Sequence, residues 1–277
     1  MSLFPPGSGG PTLPEFKSLL VKGPYHASAP VHLALSFTEK QPDMRIVMIT
    51  PSRQAITRAL REHNDDWMVE HSGRGEVLEL SDCTMVYYPP TPAHFAYLIS
   101  TLSTQVEGTD PKAVLYRPLS LIVLVELSAY FLRAGDKPWT LSSYMTLVAR
   151  SLAAVAALSA EAESVLLFLG SFATHSYSLK LPVLKPPTAD SNKPAPRKEP
   201  VALHVQQYFQ LTAVVEEDDD VVLNSSQEDE GREVNRRQWN RLRILKEGSL
   251  VRCLRWSERR DPDTDGVVFT WDDYTTK

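Results

Sequence analysis

Cysteine is scarce in this sequence, with only Cys83 and Cys253 among 277 residues. Two cysteines so far apart form neither a disulfide framework nor, by themselves, a tetrahedral zinc site. The seven histidines are scattered, and they make neither an H-E-x-x-H pattern nor a Cys/His cluster. These shortages argue against a disulfide-stabilised secreted domain and against a metal site, and they indicate a reducing compartment.

Long apolar runs are also missing. The longest, residues 119–132, is too short to span a bilayer and is interrupted by Glu126. Residues 1–14 are rich in glycine and proline, and they lack the basic start and apolar stretch of a signal peptide. The net charge of −5 requires neither a nucleic acid nor an anionic membrane as a partner. We therefore expect a soluble intracellular protein.

What the sequence does contain is a regular alternation of apolar runs and helical patterns. The apolar runs predict strands at 18–22, 45–50, 83–88, 119–126 and 164–170. Helical spacing of apolar residues predicts helices at 29–40, 51–62, 92–102 and 140–160. Strands that alternate with helices form β-α-β units with right-handed crossovers. The sequence therefore predicts an α/β fold with a mostly parallel sheet and helices on both faces.

The segments outside this alternation differ in character. Residues 1–16 are expected to be disordered, and the polar residues 64–80 are expected to form a loop. Proline-rich basic residues at about 173–203 and acidic residues at about 216–235 predict two mobile loops within a single domain, 17–277. A C-terminal antiparallel meander is predicted from alternating runs at 239–246, 250–256 and 267–271.

Residues 17–36 have the shape of a phosphate-binding loop without its chemistry. A working loop reads G-x-x-x-x-G-K-[ST], in which backbone N–H groups and the lysine hold phosphates while the hydroxyl binds magnesium. Counted from Gly23, the second glycine falls on Ser28. The lysine is replaced by Ala29 and the hydroxyl residue by Pro30, which also removes a backbone donor. The segment is therefore either a vestigial nucleotide pocket or an ordinary strand–loop–helix turn.

Glu126 ends the most apolar of the predicted strands, where a P-loop ATPase keeps the acid that holds magnesium. An apolar strand also ends in an acid simply because it reaches solvent, so both interpretations stay open. Glu126 completes the predicted vestigial pocket with Gly23, Ser28, Ala29 and Pro30. No metal, cofactor or catalytic residue is predicted, and ATP binding is doubtful because two indispensable side chains are replaced.

Basic residues concentrate near the end of the chain. Residues 231–260 contain ten arginines and lysines against three glutamates, within an otherwise acidic protein. Arginine binds phosphate bidentately and stacks on bases, and clustered positive charge usually drives nucleic-acid binding. A solvated strand face that neutralises nearby acids has the same composition. On the nucleic-acid interpretation, the predicted contacts are Lys180, Lys185, Arg236, Arg237, Arg241 and Arg243.

Three further segments resemble one protein family. Residues 45–51, Arg-Ile-Val-Met-Ile-Thr-Pro, resemble the second strand of recombinase paralogs, which have a RecA-like core. Residues 85–91, Met-Val-Tyr-Tyr-Pro-Pro-Thr, followed by Phe95 and Leu98, resemble a segment and helix in the small RecA-like partner of SWIM-domain proteins. Residues 206–209, Gln-Gln-Tyr-Phe, resemble the segment before that family's last strands.

The resemblance, which covers residues 17–215 discontinuously, is to a subunit of Shu-type complexes. It implies a RecA-like core in a nuclear protein that pairs with a zinc-binding SWIM-domain protein. It also implies binding to single-stranded or branched DNA and assistance to recombinase filaments in homologous recombination after DNA damage. Because Ala29 and Pro30 replace the lysine and the hydroxyl residue, the implied subunit does not hydrolyse ATP.

Two alternatives stay open. An Elongator accessory-type subunit is also RecA-like, lacks the nucleotide motifs and assembles into a ring that binds transfer RNA. An active P-loop enzyme would need a displaced lysine, for which Lys22 is the candidate, and it would still lack the hydroxyl ligand.

Overall fold

The structure is a computed structural model that describes residues 1–102, 118–132, 139–161, 165–173, 178–184, 197–218 and 239–271. Its strands are β1 Ser18–Lys22, β2 Arg45–Ile49, β3 Thr84–Tyr87, β4 Leu119–Val125, β5 Leu166–Gly170, β6 Lys180–Pro182, β7 Lys198–Pro200, β8 Leu211–Asp218, β9 Trp239–Lys246, β10 Ser249–Arg260 and β11 Val267–Trp271. Its helices are α1 Ala29–Lys40, α2 Arg53–His63, α3 Asp66–His71, α4 Gly75–Asp82, α5 Pro92–Thr101, α6 Ala129–Leu132, α7 Leu141–Glu161 and α8 Val201–Val205.

Nine of the strands form one sheet in the order β11-β10-β9-β8-β1-β5-β4-β2-β3. The six neighbours from β8 to β3 run parallel to one another. The other three, β9, β10 and β11, continue the sheet as an antiparallel meander. The remaining strands, β6 and β7, pair with each other in a separate two-stranded sheet.

Helices cover both faces of the parallel strands, and β4 shows how its side chains alternate. Leu121 and Val123 pack in the cluster that includes α1 and the meander. Ile122 and Leu124 pack in a second cluster with α5 and α7 on the opposite face. All seven residues of β4 are buried, as expected of a strand covered on both sides. The predicted α/β class, with a mostly parallel sheet, helices on both faces and a C-terminal antiparallel meander, is confirmed.

Helix α7 has the length and hydropathy of a membrane span between Leu141 and Ala160, judged by composition alone. In the structure, Tyr144, Leu147 and Val148 are buried in the second cluster against the sheet. Helix α7 therefore packs one face against the sheet as part of the α/β fold.

Residues 1–16 differ from the disorder that their glycine and proline content predicts. Leu3 and Phe4 are buried in the first cluster, and the Phe4 ring meets Trp256 edge-on at a centroid distance of 5.3 Å. The backbone N–H of Ser2 donates to Ser36 Oγ at 2.8 Å. The few apolar side chains of this segment provide enough burial to hold it against α1 and the meander.

Residues 64–80 also differ from the predicted loop, because they form α3 and most of α4. Asp65 is the N-cap of α3, and its Oδ1 accepts the backbone N–H of Met68 at 3.2 Å. A side-chain cap of this kind compensates for a helix with little apolar periodicity.

The two predicted mobile loops lie partly outside the described residues, at 174–177, 185–196 and 219–238. In the described part of the first, β6 and β7 form a hairpin that leads into α8. In the described part of the second, Glu216, Glu217 and Asp218 belong to β8 instead of a solvated insertion.

The last strand of the meander returns to the junction between α2 and α3. The backbone N–H of Val267 donates to Asn64 O at 2.7 Å, and Asn64 Nδ2 donates to Asp265 O at 2.8 Å. A parallel bridge also joins Asp65 to Val267. The far end of the sheet therefore fixes the position of Asp65.

Gly23, directly after β1, occupies a position that other residues cannot adopt without strain. Its φ is +99°, in the region that favours glycine. A Cβ at this position would clash with the carbonyl oxygen of Val215 on the neighbouring strand β8. Close approach of the two backbones thus requires glycine at the start of the loop.

We expect Gly23→Ala to lower the free energy of unfolding by about 3 kcal/mol, since backbone strain and overpacking each cost about 1–3 kcal/mol. Gly73→Ala is the matched control, because a Cβ there meets nothing within 4 Å. Urea denaturation monitored by circular dichroism measures both. Equal stability of the two variants would contradict the requirement for glycine at position 23.

Candidate functional site

A cleft of about 590 Å³ opens at the carboxyl ends of β1, β2, β4 and β5. Its walls include Tyr25 and His26 after β1, Thr50 after β2, Glu126 after β4 and Phe172 after β5. Ligands of parallel α/β sheets bind at this edge, and cavities of this size hold small ligands. The cleft is therefore the candidate functional site.

The backbone donors at the start of α1 are bonded within the chain itself. Ala29 N donates to His26 O at 3.1 Å, and Val31 N and His32 N donate to Ser28 O at 2.9 and 3.0 Å. Pro30 has no N–H to donate. In a phosphate-binding loop, these first-turn N–H groups would point at the anion. At the positions of the lysine and the hydroxyl residue, Ala29 and Pro30, the chain therefore offers no free backbone donor.

Tyr25, which precedes the first turn of α1, is packed against β5. Its hydroxyl lies so close to Gly170 that a Cβ at that position would clash with it. Burial raises the pKa of Tyr25 well above its ordinary value, and the charge of Glu126 raises it further. The loop after β1 therefore contributes a buried aromatic side chain to the site.

A buried polar network joins this loop to α3. Ser28 Oγ donates to Asp65 Oδ2 at 2.5 Å, and His32 Nε2 lies 2.7 Å from the same oxygen. Ser28 Oγ also lies 3.0 Å from His26 Nδ1. His32 and Ser28 are fully buried, and Asp65 is 3% exposed. The network fastens the start of α1 to the start of α3.

The network separates the ionisation of its members. Burial alone would raise the pKa of Asp65, but the hydrogen bond and charge of His32, with hydrogen bonds from Ser28 and Met68, lower it to about 2. Burial lowers the pKa of His26 well below its ordinary value, as do the neighbouring His32 and His63. At neutral pH the Asp65 carboxylate is therefore ionised and the His26 ring is neutral.

Glu126, predicted as the acid of the vestigial pocket, holds the loop that follows β5. Its Oε1 accepts the backbone N–H groups of Phe172 at 2.7 Å and Ala173 at 3.0 Å. Its own backbone lies in the left-handed region, with φ of +59°. The side chain is 7% exposed, so the interpretation that this acid simply reaches solvent is wrong. One carboxylate oxygen is committed to the backbone.

Lys22, the candidate for a displaced phosphate-binding lysine, does not line the cleft. Its Nζ donates to Gln206 Oε1 at 2.7 Å. Burial lowers its pKa below the ordinary value. This geometry gives no support to the active-enzyme alternative.

Two of the predicted nucleic-acid contacts, Arg241 and Arg243 on β9, are paired with acids of β8. Arg243 NH2 lies 2.6 Å from Glu216 Oε1, and Arg241 lies 3.7 Å from Glu216 and 3.8 Å from Asp218. Arg255 of β10 pairs with Asp218 at 2.8 Å. The two acids offset part of the positive charge of the three arginines, which weighs against a nucleic-acid role for Arg241 and Arg243; that role stays a prediction.

The hairpin of β6 and β7 brings other basic residues together. Lys180 and Lys198 are exposed on its paired strands, and Arg197 precedes β7. Arg197 lies 3.3 Å from Glu199, which also pairs with His204. Three further predicted contacts, Lys185, Arg236 and Arg237, lie outside the described residues.

Comparison with known proteins identifies no family, because no family model matches the sequence. No curated protein matches it either. Among solved structures, the chain is similar to the RadB recombinase, with TM-score 0.44 and 9% identity over 90% of this chain and 89% of that one. It is also similar to the KaiC-like protein PH0186 from Pyrococcus horikoshii OT3, with TM-score 0.47 and 11% identity over 97% of both chains.

Sequence reasoning singled out Ser28 but missed the other three members of the buried network, His26, His32 and Asp65. His26 and His32 lie inside the segment that resembles a phosphate loop, and Asp65 precedes a helix as an N-cap residue does. Those local signals suggest a loop and a cap, but neither indicates that positions 32 and 65 meet. Their contact depends on how α3 returns to the sheet.

We expect Asp65→Asn to lower the free energy of unfolding by about 3 kcal/mol at pH 7, since each hydrogen bond to a buried charged group contributes about 1.5–3 kcal/mol. The depressed pKa of Asp65 stabilises the folded state above the unfolded pKa of about 3.9, and this contribution is lost as pH falls towards 2. The difference between wild type and variant should therefore shrink between pH 5 and pH 2.

Urea unfolding at pH 7, 5, 3 and 2 measures this difference. Asp82→Asn removes an exposed carboxylate at the end of α4 and is the matched control, with no expected change at pH 7. A pH-independent difference for Asp65→Asn would show that the ionised carboxylate does not stabilise the fold.

Proposed function

We propose that this chain is a non-hydrolysing, RecA-like subunit of a Shu-type complex. On this proposal it is nuclear, pairs with a zinc-binding SWIM-domain protein, binds single-stranded or branched DNA and assists recombinase filaments in homologous recombination repair. The observation that carries the proposal is the loop after β1. Its first-turn donors are bonded internally, and Ala29 and Pro30 stand where a lysine and a hydroxyl residue would be needed.

The mechanism that this geometry favours is assembly. A motor of this class needs the phosphate groups of ATP to be held by backbone donors, a lysine and magnesium. This chain keeps the sheet and the cleft, while a carboxylate, Asp65, is bonded beside the start of α1. A fold with those features supports binding to partners more readily than nucleotide turnover.

The DNA-binding part of the proposal is supported by the basic hairpin of β6 and β7. Lys180 and Lys198 are exposed there, without an ion pair to any described residue. The hairpin follows β5, and Leu181 packs in the cluster of α5 and α7. Exposed lysines on paired strands fit the phosphate backbone of a nucleic acid, which supplies most of non-specific affinity.

We expect Lys180→Ala/Lys198→Ala to weaken binding to a fluorescein-labelled single-stranded oligonucleotide. Because each neutralised phosphate contributes about 0.7 to the salt slope, the double variant should lower the slope by about 1.4. Fluorescence anisotropy over a series of salt concentrations measures both effects. The charge-matched control is Arg53→Ala/Arg61→Ala on α2, whose residues Ile56 and Leu60 pack on the other face of the sheet.

The paired arginines form a second arm of this experiment. If Arg241→Gln/Arg243→Gln weakens DNA binding as strongly as the lysine variant, the meander contributes directly to the DNA contact. Binding that is absent or independent of salt, with and without the partner, would contradict the DNA-binding proposal. Equal loss in the lysine variant and the α2 control would contradict the assignment to the hairpin.

The identity of the partner separates the two assembly types. Mass spectrometry of proteins that co-purify with the tagged chain from its own cells should identify a SWIM-domain zinc-binding protein and a recombinase. RecA-like siblings in a ring bound to transfer RNA would replace the proposal with an Elongator accessory-type role. An unrelated tagged protein, purified in parallel, identifies the background proteins.

A further inference from the structure

The nine-stranded sheet ends on one side at β11, whose outer edge carries backbone groups that point away from the sheet. The N–H of Val267 points away from β10, to Asn64 O at 2.7 Å. Because N–H groups alternate in direction along a strand, those of Phe269 and Trp271 also point outward. The described part of the chain places no strand beside them. This edge is therefore able to bond a further strand.

The composition of β11 does not protect this edge. Its sequence, Val-Val-Phe-Thr-Trp, contains no charged residue and no proline, and its pairing with β10 shows no bulge. Charged side chains, proline and bulges are the features that usually keep an edge strand from pairing with another chain. Val268 is 37% exposed, although it is apolar. The sequence of β11 therefore favours pairing.

A groove of about 500 Å³ runs along the same edge, lined by β11, α3 and residues of the N-terminal segment. Helix α3 stands beside the start of β11, where Asp65 bridges Val267. The N-terminal segment packs on the end of β11, since a Cβ on Gly10 would lie 3.0 Å from the Trp271 ring. The five residues between these boundaries span about 14 Å. The groove thus has the length of a short extended segment.

The walls of the groove are largely aromatic. Trp67, Phe269 and Trp271 line it. The rings of Phe269 and Trp271 are parallel to within 8°, with their centroids 6.5 Å apart. Alternate side chains of an extended strand lie on one face at about the same spacing, near 7 Å. An extended segment with apolar side chains at alternate positions therefore matches this surface.

The end of the groove at α3 is acidic. Asp66 and Glu70 line it, and its described lining residues include no lysine, arginine or histidine. Asp66 lies against the start of β11, because a Cβ on Gly266 would clash with its side chain. Glu70 is 2.7 Å from Arg74, so its charge is partly offset. A positively charged side chain is therefore favoured at this end of the groove.

From these observations we infer that the groove receives an extended segment of a partner protein, which adds a strand to the sheet beside β11. The segment places apolar side chains in the groove and a lysine or arginine beside Asp66. In strand addition, main-chain hydrogen bonds supply affinity and alternate side chains supply specificity. The inference does not depend on the proposed function, since it rests on the edge and the groove alone.

A second copy of this chain fits the edge less well. Two-fold antiparallel pairing of β11 with its counterpart would place the start of one strand opposite the end of the other. Helix α3 of one copy would then meet the N-terminal segment of the other, which already lines that end of the groove. A single extended segment avoids this overlap.

The test uses the full-length chain and a fluorescein-labelled peptide, Lys-Ser-Val-Ser-Val-Ser-Lys, whose lysines and valines share one face when it is extended. Two further peptides carry backbone N-methyl groups, one at both valines and the other at the last two serines. Only alternate N–H groups of an added strand face β11. One methylated peptide should therefore bind at least ten-fold more weakly than the parent, and the other about equally. Fluorescence anisotropy measures the three affinities.

Amide hydrogen exchange locates the bound peptide. The parent peptide should slow exchange at Phe269 and Trp271, whose N–H groups would become hydrogen-bonded. The opposite edge of the sheet, β3, is the internal comparison, and its exchange should not change. Both measurements use the wild-type chain, so they do not depend on whether a variant folds.

The charge of the groove is tested separately. Asp66→Asn/Glu70→Gln should weaken binding of the parent peptide about three-fold, and added salt should reduce this difference, because exposed ion pairs contribute little and are screened. Glu76→Gln/Glu79→Gln on the exposed surface of α4 removes the same charge and should leave the affinity unchanged. A peptide with serine in place of both lysines should not distinguish the wild type from the groove variant.

Equal affinity of the two methylated peptides, whether retained or lost, would overturn the inference. Protection of β3 instead of β11 would overturn it as well, as would equal loss in the groove variant and the α4 control. A dimer of the chain that the parent peptide dissociates in analytical ultracentrifugation would assign the edge to a second copy, and would also overturn it.

Discussion

The site depends on the carboxylate of Asp65. Phosphate-binding loops take their anion from solution and hold it with the start of a helix. In this chain, a carboxylate from residue 65 lies against the side chains of Ser28 and His32 at the start of α1. An ionised group that is buried and bonded on both oxygens cannot lose its partners without a large loss of stability. The protein thus carries a resident anion, the Asp65 carboxylate, beside the start of α1.

The resident anion also determines the protonation of its surroundings. It orients Ser28, Ser28 orients His26, and the second nitrogen of His26 becomes an acceptor. Independently of this network, carboxylates outnumber cationic side chains among the described residues that line the cleft. On the other side of the sheet, lysines on the hairpin of β6 and β7 are exposed. The chain therefore presents negative charge in its cleft and positive charge on its hairpin, although its net charge is only −5.

Local pattern predicted the parts of this structure that local physics determines. Apolar runs such as 119–125 and 166–170 are strands because their side chains are buried on both faces, and helix α1 begins at Ala29 where the loop ends. The departure of residues 23–30 from the phosphate-loop pattern is visible from residue spacing. Composition gave a wrong prediction where a few side chains determine the structure. Residues 1–16 were predicted to be disordered, but Leu3 and Phe4 are buried despite the surrounding glycines and prolines. The hydrogen bonds of Ser28 and His32 with Asp65 join positions that are distant in sequence, and the spacing of residues along the chain does not predict them.

The contact between Asn64 and the turn before β11 has a consequence for how the protein folds. The hydrogen bond from Asn64 to Asp265 joins residues 201 positions apart, and the one from Lys17 to Gln210 joins residues 193 positions apart. Such non-local contacts slow folding, because the entropy of closing a long loop is lost before the contact forms. During synthesis, the Asp65 network emerges from the ribosome long before Val267 exists to brace it. Until the C-terminal strands have been synthesised, the N-terminal strands therefore lack these contacts. In this interval a chaperone or an early-binding partner would protect the most exposed apolar surface.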